Sequence, residues 1–161
     1  MRHAKSSRDD PSLEDQDRPL NERGKKDAPR MGKLLLAEKL TPQAILSSPA
    51  RRARDTASVA AQACKFKGEI ELVPGFYYAS LDAFWQSLSG LPEQVQRAML
   101  VGHNPDLEEL VLNLTGEMVS MTTAAVAWIE MPLERWKDFN PGLTGKLVKV
   151  WRPKELPEKA D

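Results

Sequence analysis

The sequence has one cysteine, Cys64, two histidines, His3 and His103, and no net charge, with 23 basic against 23 acidic side chains. It has no uninterrupted apolar stretch of about 18 residues, the length a membrane-spanning helix needs. Each absence excludes something. A single cysteine can form no intrachain disulfide, which suits a reducing compartment. A formal charge of zero removes the overall basic field that would attract nucleic acid or an acidic membrane. The charges among the first ten residues do not read as a signal peptide. The expectation is a cytoplasmic protein without a nucleic-acid or membrane partner. Two histidines with no cysteine or carboxylate at ligand spacing make a poor metal site, so no metal or other cofactor is expected.

What is there fits one domain. A chain of 161 residues can bury a real core. The expected domain covers residues 1–152, with a frayed polar tail over 153–161. Residues 5–23 are strongly polar and read as a solvated loop. A charged loop of this length is often functional, which keeps Arg8, Asp9 and Arg18 as candidates. From Gly24 onward Ala28, Met31 and Leu35 recur at helical spacing through Leu40. Pro29 is tolerated only in a first turn, which sets that helix near Asp27. Ala44 to Ser47 is a short apolar run and reads as a buried strand. Ser48 and Pro49 then read as N-cap and first turn of a helix through Ala63.

Further along, Glu69 to Val73 alternates like a strand and Pro74-Gly75 breaks it. Ser80-Leu81-Asp82 opens an amphipathic helix carrying Phe84, Trp85 and Leu88. Ala98 to Val101 is a compact strand ending at Gly102-His103, and Pro105 to Leu114 reads as the next helix, with Gly116 as its C-cap. Ala124 to Met131 and Lys146 to Trp151 are the last two strands. Trp128, Trp136 and Trp151 read as packing residues, and so does the Tyr77-Tyr78 pair ahead of a docking patch. Strands alternating with helices give an α/β class: a three-layer sandwich, with a mainly parallel sheet covered by helices on both faces.

The chemistry concentrates in three places: Arg2-His3, Arg51-Arg52 and Gly102-His103-Asn104-Pro105. Two imidazoles and several guanidiniums are a minimal kit for moving a phosphoryl group through a covalent histidine intermediate. A neutral imidazole is both nucleophilic and a tolerable leaving group near neutral pH. Arginine offers planar, bidentate donors to phosphoryl oxygens. Arg51 and Arg52 fall in a helix first turn, where cations are disfavoured by the macrodipole. An anion joining them there would remove the conflict. Arg51 reads equally well as pointing to water.

Taken together, Arg2-His3, the run Ser47-Ser48-Pro49-Ala50-Arg51-Arg52-Ala53-Arg54-Asp55-Thr56-Ala57, and Gly102-His103 are specific in order and spacing. The chain resembles the histidine phosphatase superfamily, with a phosphoglycerate-mutase-like fold, and is most similar to its short SixA-type phosphohistidine phosphatases. Arg18-Pro19-Leu20 followed by Gly24 matches a pattern of that short branch. The resemblance implies that His3 is the nucleophile and that Arg2, Arg52 and His103 complete the catalytic group. It implies that Arg2, Arg18, Arg52 and His103 line the phosphate pocket. Asp9 falls where other branches place a polar group, but an aspartate would repel a dianion.

Two departures from the family stand out. Members carry an apolar strand running into the Arg-His pair, and none precedes Arg2 here, which would leave ladder groups unpaired and part of the core uncovered. Many members also use a carboxylic acid to protonate a leaving oxygen. The matching segment, Val73 to Ser80, has no carboxylate, Glu71 reads as strand, and Asp82 as a helix first-turn residue. An alkoxide needs an acid to leave, whereas an imidazole leaving phosphorus needs far less help. The expected activity is therefore a metal-independent phosphatase acting on phosphohistidine in a protein such as a histidine phosphotransfer domain. A phosphomonoesterase acting on a small phosphorylated substrate, with an acid from Asp9 or another loop carboxylate, and a non-catalytic phosphate-binding module are the alternatives.

Overall fold

Apolar residues that alternate along short strands must find cover on both sides, and helices supply it. The computed structural model describes residues 1–78 and 80–157. In chain order the elements are α1 (Glu22–Ala37), β1 (Ala44–Ser47), α2 (Arg51–Ala63), β2 (Ile70–Leu72), α3 (Leu81–Ser89), β3 (Ala98–Val101), α4 (Asp106–Thr115), β4 (Val126–Glu130) and β5 (Lys146–Trp151). β1 is the centre of a parallel sheet ordered β2-β1-β3, and β4 and β5 form an antiparallel pair. Helices make the long crossovers that parallel strands require.

The two-residue period of the strands sorts the core into two layers. Ile45, Met99 and Val101 join Met31, Ala53 and Ala57 on the side of α1 and α2. Leu46 turns the other way, to Phe76, Phe84, Leu107 and Leu110 beside α3 and α4. Small residues let α1 and α2 approach closely: a Cβ on Gly32 would lie 2.4 Å from the Ala60 carbonyl oxygen. Trp128 and Trp151 stack across the β4–β5 ladder with ring centroids 6.1 Å apart, the packing role expected of them.

Several local expectations are corrected. α1 begins at Glu22, ahead of the expected Asp27, and continues through Pro29. Its start is fixed by the Asn21 side chain, which accepts from the Gly24 N–H at 2.9 Å. Gly24 itself is obligatory, because a Cβ there would sit 2.2 Å from the Lys5 carbonyl oxygen. α2 begins at Arg51 with Ala50 at the cap, so Ser48 is not the helix cap. Residues 153–157 do not hang free: Arg30 donates to the carbonyls of Pro153, Leu156 and Pro157.

The gap between the two sheets is bridged by the first residues of the chain. Among the described residues no strand lies between β3 and β4. Only the first few residues join the two sheets: Arg2 bridges Gly102 in parallel, and its N–H donates to the Ala125 carbonyl. His3 donates to the Gly102 carbonyl and accepts from the Ala124 N–H, each at 3.0 Å. Beyond Met1 the sheets part around a cavity of about 210 Å³, lined among others by Leu35, Leu100, Leu110, Val126 and Trp128. The Met1 amino group lies inside, donating to the Leu100 carbonyl at 2.7 Å, and burial pushes its pKa down to about 5.

This geometry predicts that an extension of about five apolar, β-branched residues ahead of Met1 will stabilise the protein. It would pair parallel to β3 and antiparallel to β4. A gain of ~2–3 kcal/mol raises Tm by about 5 °C or more in a chain of this size. Calorimetry on this variant and on a Gly/Ser extension of equal length checks it; equal melting temperatures would show that the slot takes no strand.

Candidate active site

His103 follows the end of β3, and His3 follows the bridge that Arg2 makes to Gly102. β3 runs directly into Gly102-His103, and the segment pairing with Gly102 carries His3, so the two imidazoles face each other with ring centroids 5.1 Å apart. Ser48 follows β1, its N–H bound to the Val101 carbonyl. α2, starting just beyond, brings in Arg52. The candidate site thus lies beyond the carboxyl ends of the parallel strands, where open α/β sheets place their ligands.

His3 is nine-tenths buried. Its Nδ1 lies 2.8 Å from the Ala4 carbonyl oxygen. A carbonyl can only accept, so Nδ1 carries the proton and Nε2 keeps the lone pair. Burial, with lesser contributions from His103, Arg52 and Arg2, outweighs that hydrogen bond and lowers the pKa to about 3. The ring is neutral at physiological pH, with the Nε2 lone pair free. A second hydrogen bond fixes the turn after it: the Ala4 N–H donates to Thr56 Oγ1, which itself donates to the Arg52 carbonyl. The chain beside His3 and the arginine helix are therefore tied through one hydroxyl.

His103 is also held neutral, its pKa lowered to about 4 by burial and by Arg52. Its Nε2 meets Ser48 Oγ at 2.8 Å, so Ser48 orients a histidine rather than capping a helix. His103 Nδ1 and Arg2 Nε are buried and make no hydrogen bond within the protein. Arg2 acts on His103 electrostatically, and two such nitrogens in one cluster fit a bound anion, since buried polar atoms are otherwise satisfied. Arg2 Nη1 donates to the Met121 carbonyl at 2.9 Å. Asn104 binds the same carbonyl and the Glu108 carboxylate.

The arginines divide. Arg2 and Arg52 are the cations whose charges bear on both imidazoles. Arg52 is buried, and it meets Asp15 twice, through the Asp15 carbonyl at 2.7 Å and the carboxylate at 3.0 Å. That anion resolves the macrodipole conflict. Arg51 points outward, with Asp55 at 3.6 Å. Arg18 is engaged on all sides, by the Ser7 carbonyl, Ser6 Oγ and the Asp15 carboxylate, so it reaches the cluster through Asp15. Arg8 and Asp9 lie exposed on the loop.

Sequence reasoning passed over Asp15 and assigned Tyr77 to packing. The Tyr77 hydroxyl donates to the Asp15 carboxylate at 2.8 Å, and its ring lies against His103 and beneath the Arg52 guanidinium. The usable signal for Asp15 was indirect: a buried first-turn arginine requires an anion. Nothing in the spacing of the charged loop says which of its several acids answers.

The family model for the histidine phosphatase superfamily (branch 1) matches residues 1–84. The chain belongs to that superfamily. The match carries His3 and Arg52, while His103 lies beyond it. The uncharacterized chloroplastic protein At3g52155 of Arabidopsis thaliana is 34% identical over 149 residues, spanning 86% of this chain and 67% of that protein. The structure of protein histidine phosphatase SixA complexed with tungstate matches with a TM-score of 0.84 at 25% identity, covering 98% of this chain and 97% of that one. A candidate phosphohistidine phosphatase SixA from Agrobacterium tumefaciens matches with a TM-score of 0.80 at 27% identity over 95% of each chain. The phosphoglycerate-mutase-like α/β fold expected from the motifs is the fold observed.

The two depressed imidazoles set a direction for stability. In the unfolded chain histidine takes up a proton below about pH 6.5. In the folded protein His103 and His3 do so only near 4 and 3. Between these limits the unfolded state binds more protons, so stability is full above pH 6.5 and falls as pH drops. Urea midpoints measured from pH 7.5 to 4.5 should decline steadily, and His103→Gln should flatten part of that slope. A flat wild-type profile would mean that the imidazoles are not held neutral.

Proposed function

We propose that this protein is a phosphohistidine phosphatase working through a phosphorylated His3. The observation that carries the reading is a buried imidazole whose tautomer leaves Nε2 unprotonated, set between His103 and the guanidiniums of Arg2 and Arg52. His3 Nε2 attacks phosphorus, the bond from phosphorus to the leaving group breaks, and the electron pair departs with that group. Water then attacks the phosphoryl group, the P–Nε2 bond breaks, and His3 recovers its lone pair. The water proton passes to phosphate or solvent. Arg2 and Arg52 neutralise the equatorial oxygens in both steps, beside buried imidazoles where such contacts are stronger than in water. His103 Nδ1 supplies a further donor.

Membership of a phosphatase superfamily supports the class of reaction, and the likeness to the SixA structures supports phosphohistidine as the substrate. The site's chemistry agrees. Among the described residues the segment after β2 brings a phenol, Tyr77, to the histidines and no carboxylic acid. Burial and hydrogen bonds to Tyr78 and Asp15 push that phenol's pKa up, so it is a weak acid for an alkoxide. Phosphorus–nitrogen cleavage makes the smaller demand.

Incubation with a ³²P-labelled phosphohistidine protein, quenched within one turnover, should leave acid-labile, base-stable label on His3. His3→Ala should abolish label and turnover. Arg52→Lys should lower kcat/KM by ~100-fold or more, since a point charge cannot replace a bidentate fork. Turnover of sugar phosphates without turnover of phosphohistidine would replace this reading with a phosphomonoesterase. Phosphate binding without label would leave a binding module.

A further inference from the structure

Asp15 has a position that the reaction so far leaves unused. Its carboxylate accepts from Arg52 Nη2 at 3.0 Å, Arg18 Nη1 at 2.9 Å and the Tyr77 hydroxyl at 2.8 Å. It stands at the rim: its side chain is 46% exposed, whereas that of Arg52 is 9% exposed and His3 and His103 are buried below. An in-line displacement puts the leaving group opposite the nucleophile. With His3 on the floor, the leaving group faces the mouth, where Asp15 and Tyr77 lie.

The chemical state of this carboxylate restricts what it can do there. Burial raises its pKa, but hydrogen bonds from Tyr77 and Arg52, the Arg52 charge and Arg18 outweigh burial and bring it to about 2. It has no proton to give an alkoxide. It can accept one more hydrogen bond, because a carboxylate offers about four lone-pair sites and three are taken by Arg52, Arg18 and Tyr77. Glu108, the other carboxylate tied to the cluster, faces the opposite way, to Asn104 and the Met121 N–H.

A leaving group that needs an acceptor rather than a donor is a phosphorylated imidazole. One ring nitrogen carries the phosphoryl group, and the other carries N–H only when the ring is protonated. Without that second proton the ring would leave as an imidazolate, which is as poor as an alkoxide.

We propose that Asp15 is the leaving-group contact, accepting the hydrogen bond from the unphosphorylated ring nitrogen of the substrate phosphohistidine and so selecting phosphohistidine over phosphate esters. This rests on the phosphohistidine reading and gives it a specificity residue. As His3 Nε2 bonds to phosphorus, the P–N bond breaks and its electron pair stays on the substrate ring. The far nitrogen keeps its proton, and a neutral imidazole departs. Asp15 favours the protonated ring beforehand and holds the N–H throughout. The charged or titratable groups facing Asp15 are Arg18, Arg52 and Tyr77, with His103 beyond them and Glu14 and Asp17 along its own turn. Glu14 and Asp17 are exposed to solvent.

The test compares kcat/KM for a phosphohistidine peptide and for p-nitrophenyl phosphate, whose phenolate leaves unprotonated. Asp15→Asn keeps an acceptor for Arg52 while removing the charge. The inference predicts a loss about 20-fold larger with phosphohistidine than with p-nitrophenyl phosphate, with folding checked by circular dichroism. It further predicts that the alkaline limb of the phosphohistidine pH profile moves about one unit lower in the variant. Equal losses on both substrates with an unmoved limb would overturn it, leaving Asp15 as a support for Arg52. Wild-type protein that cleaves p-nitrophenyl phosphate but not phosphohistidine would instead remove the underlying functional reading.

Discussion

His3 can act as a nucleophile only while its ring is unprotonated, and its neighbours pull in opposite directions. The Ala4 carbonyl favours the protonated ring; burial, His103, Arg52 and Arg2 disfavour it, and together they win. The same arginines therefore help hold the imidazole neutral. Cations gathered around a buried ring repel each other, and the protein offsets this with acids placed behind them. Glu108 acts on Arg2 from the α4 side, and Asp15 engages Arg52 and Arg18 from the loop. Two buried rings that refuse protons cost stability in acid, a cost that a packed core can absorb but that no stability argument would select.

Position follows from topology. Three parallel strands end at the same edge, and the residues just past their ends meet: Ser48 after β1, Tyr77 after β2 and His103 after β3. Short strands are enough, because each needs only to deliver one residue to that edge. Helix α2 then adds Arg52 from its first turn, and Thr56 one turn on ties the Arg52 carbonyl to the chain beside His3. Roles that are far apart in sequence become one hydrogen-bonded unit.

Much of this was legible beforehand. β1, β3 and β5 come out where their apolar runs and flanking breakers put them, because a run bounded by Pro or Gly leaves little freedom. The pairing of Arg2-His3 with Gly102-His103 was legible from motif order. Helix starts were less so. Pro29 argued for a late start to α1, yet the Asn21 cap and the close approach of Gly24 to Lys5 fix an early one, and neither is visible without tertiary contacts. Ser48 looked like a cap because serine before proline usually is one; its hydroxyl is instead needed by a histidine 55 positions away. Asp15 was hidden for the same reason. Irregular loops carry no periodic signal, so what selects one acid among many is the three-dimensional position of Arg52, Arg18 and Tyr77.

The slot between β3 and β4 and the candidate site are not separate matters. The segment from Met1 to Ala4 joins the two sheets, and it also carries His3. His3 hangs between the Gly102 carbonyl of one sheet and the Ala124 N–H ahead of β4. Any sliding of one sheet against the other displaces His3 relative to His103, which is rigidly part of the β3 end. A misplacement of about 1 Å can cost ~100-fold in rate. Filling the slot with a strand would resist that sliding along the length of β3 and β4, where now only two residues do. The effect on catalysis should thus exceed what the added packing alone explains, because the same hydrogen bonds that hold the sheets together also set the distance between the two imidazoles.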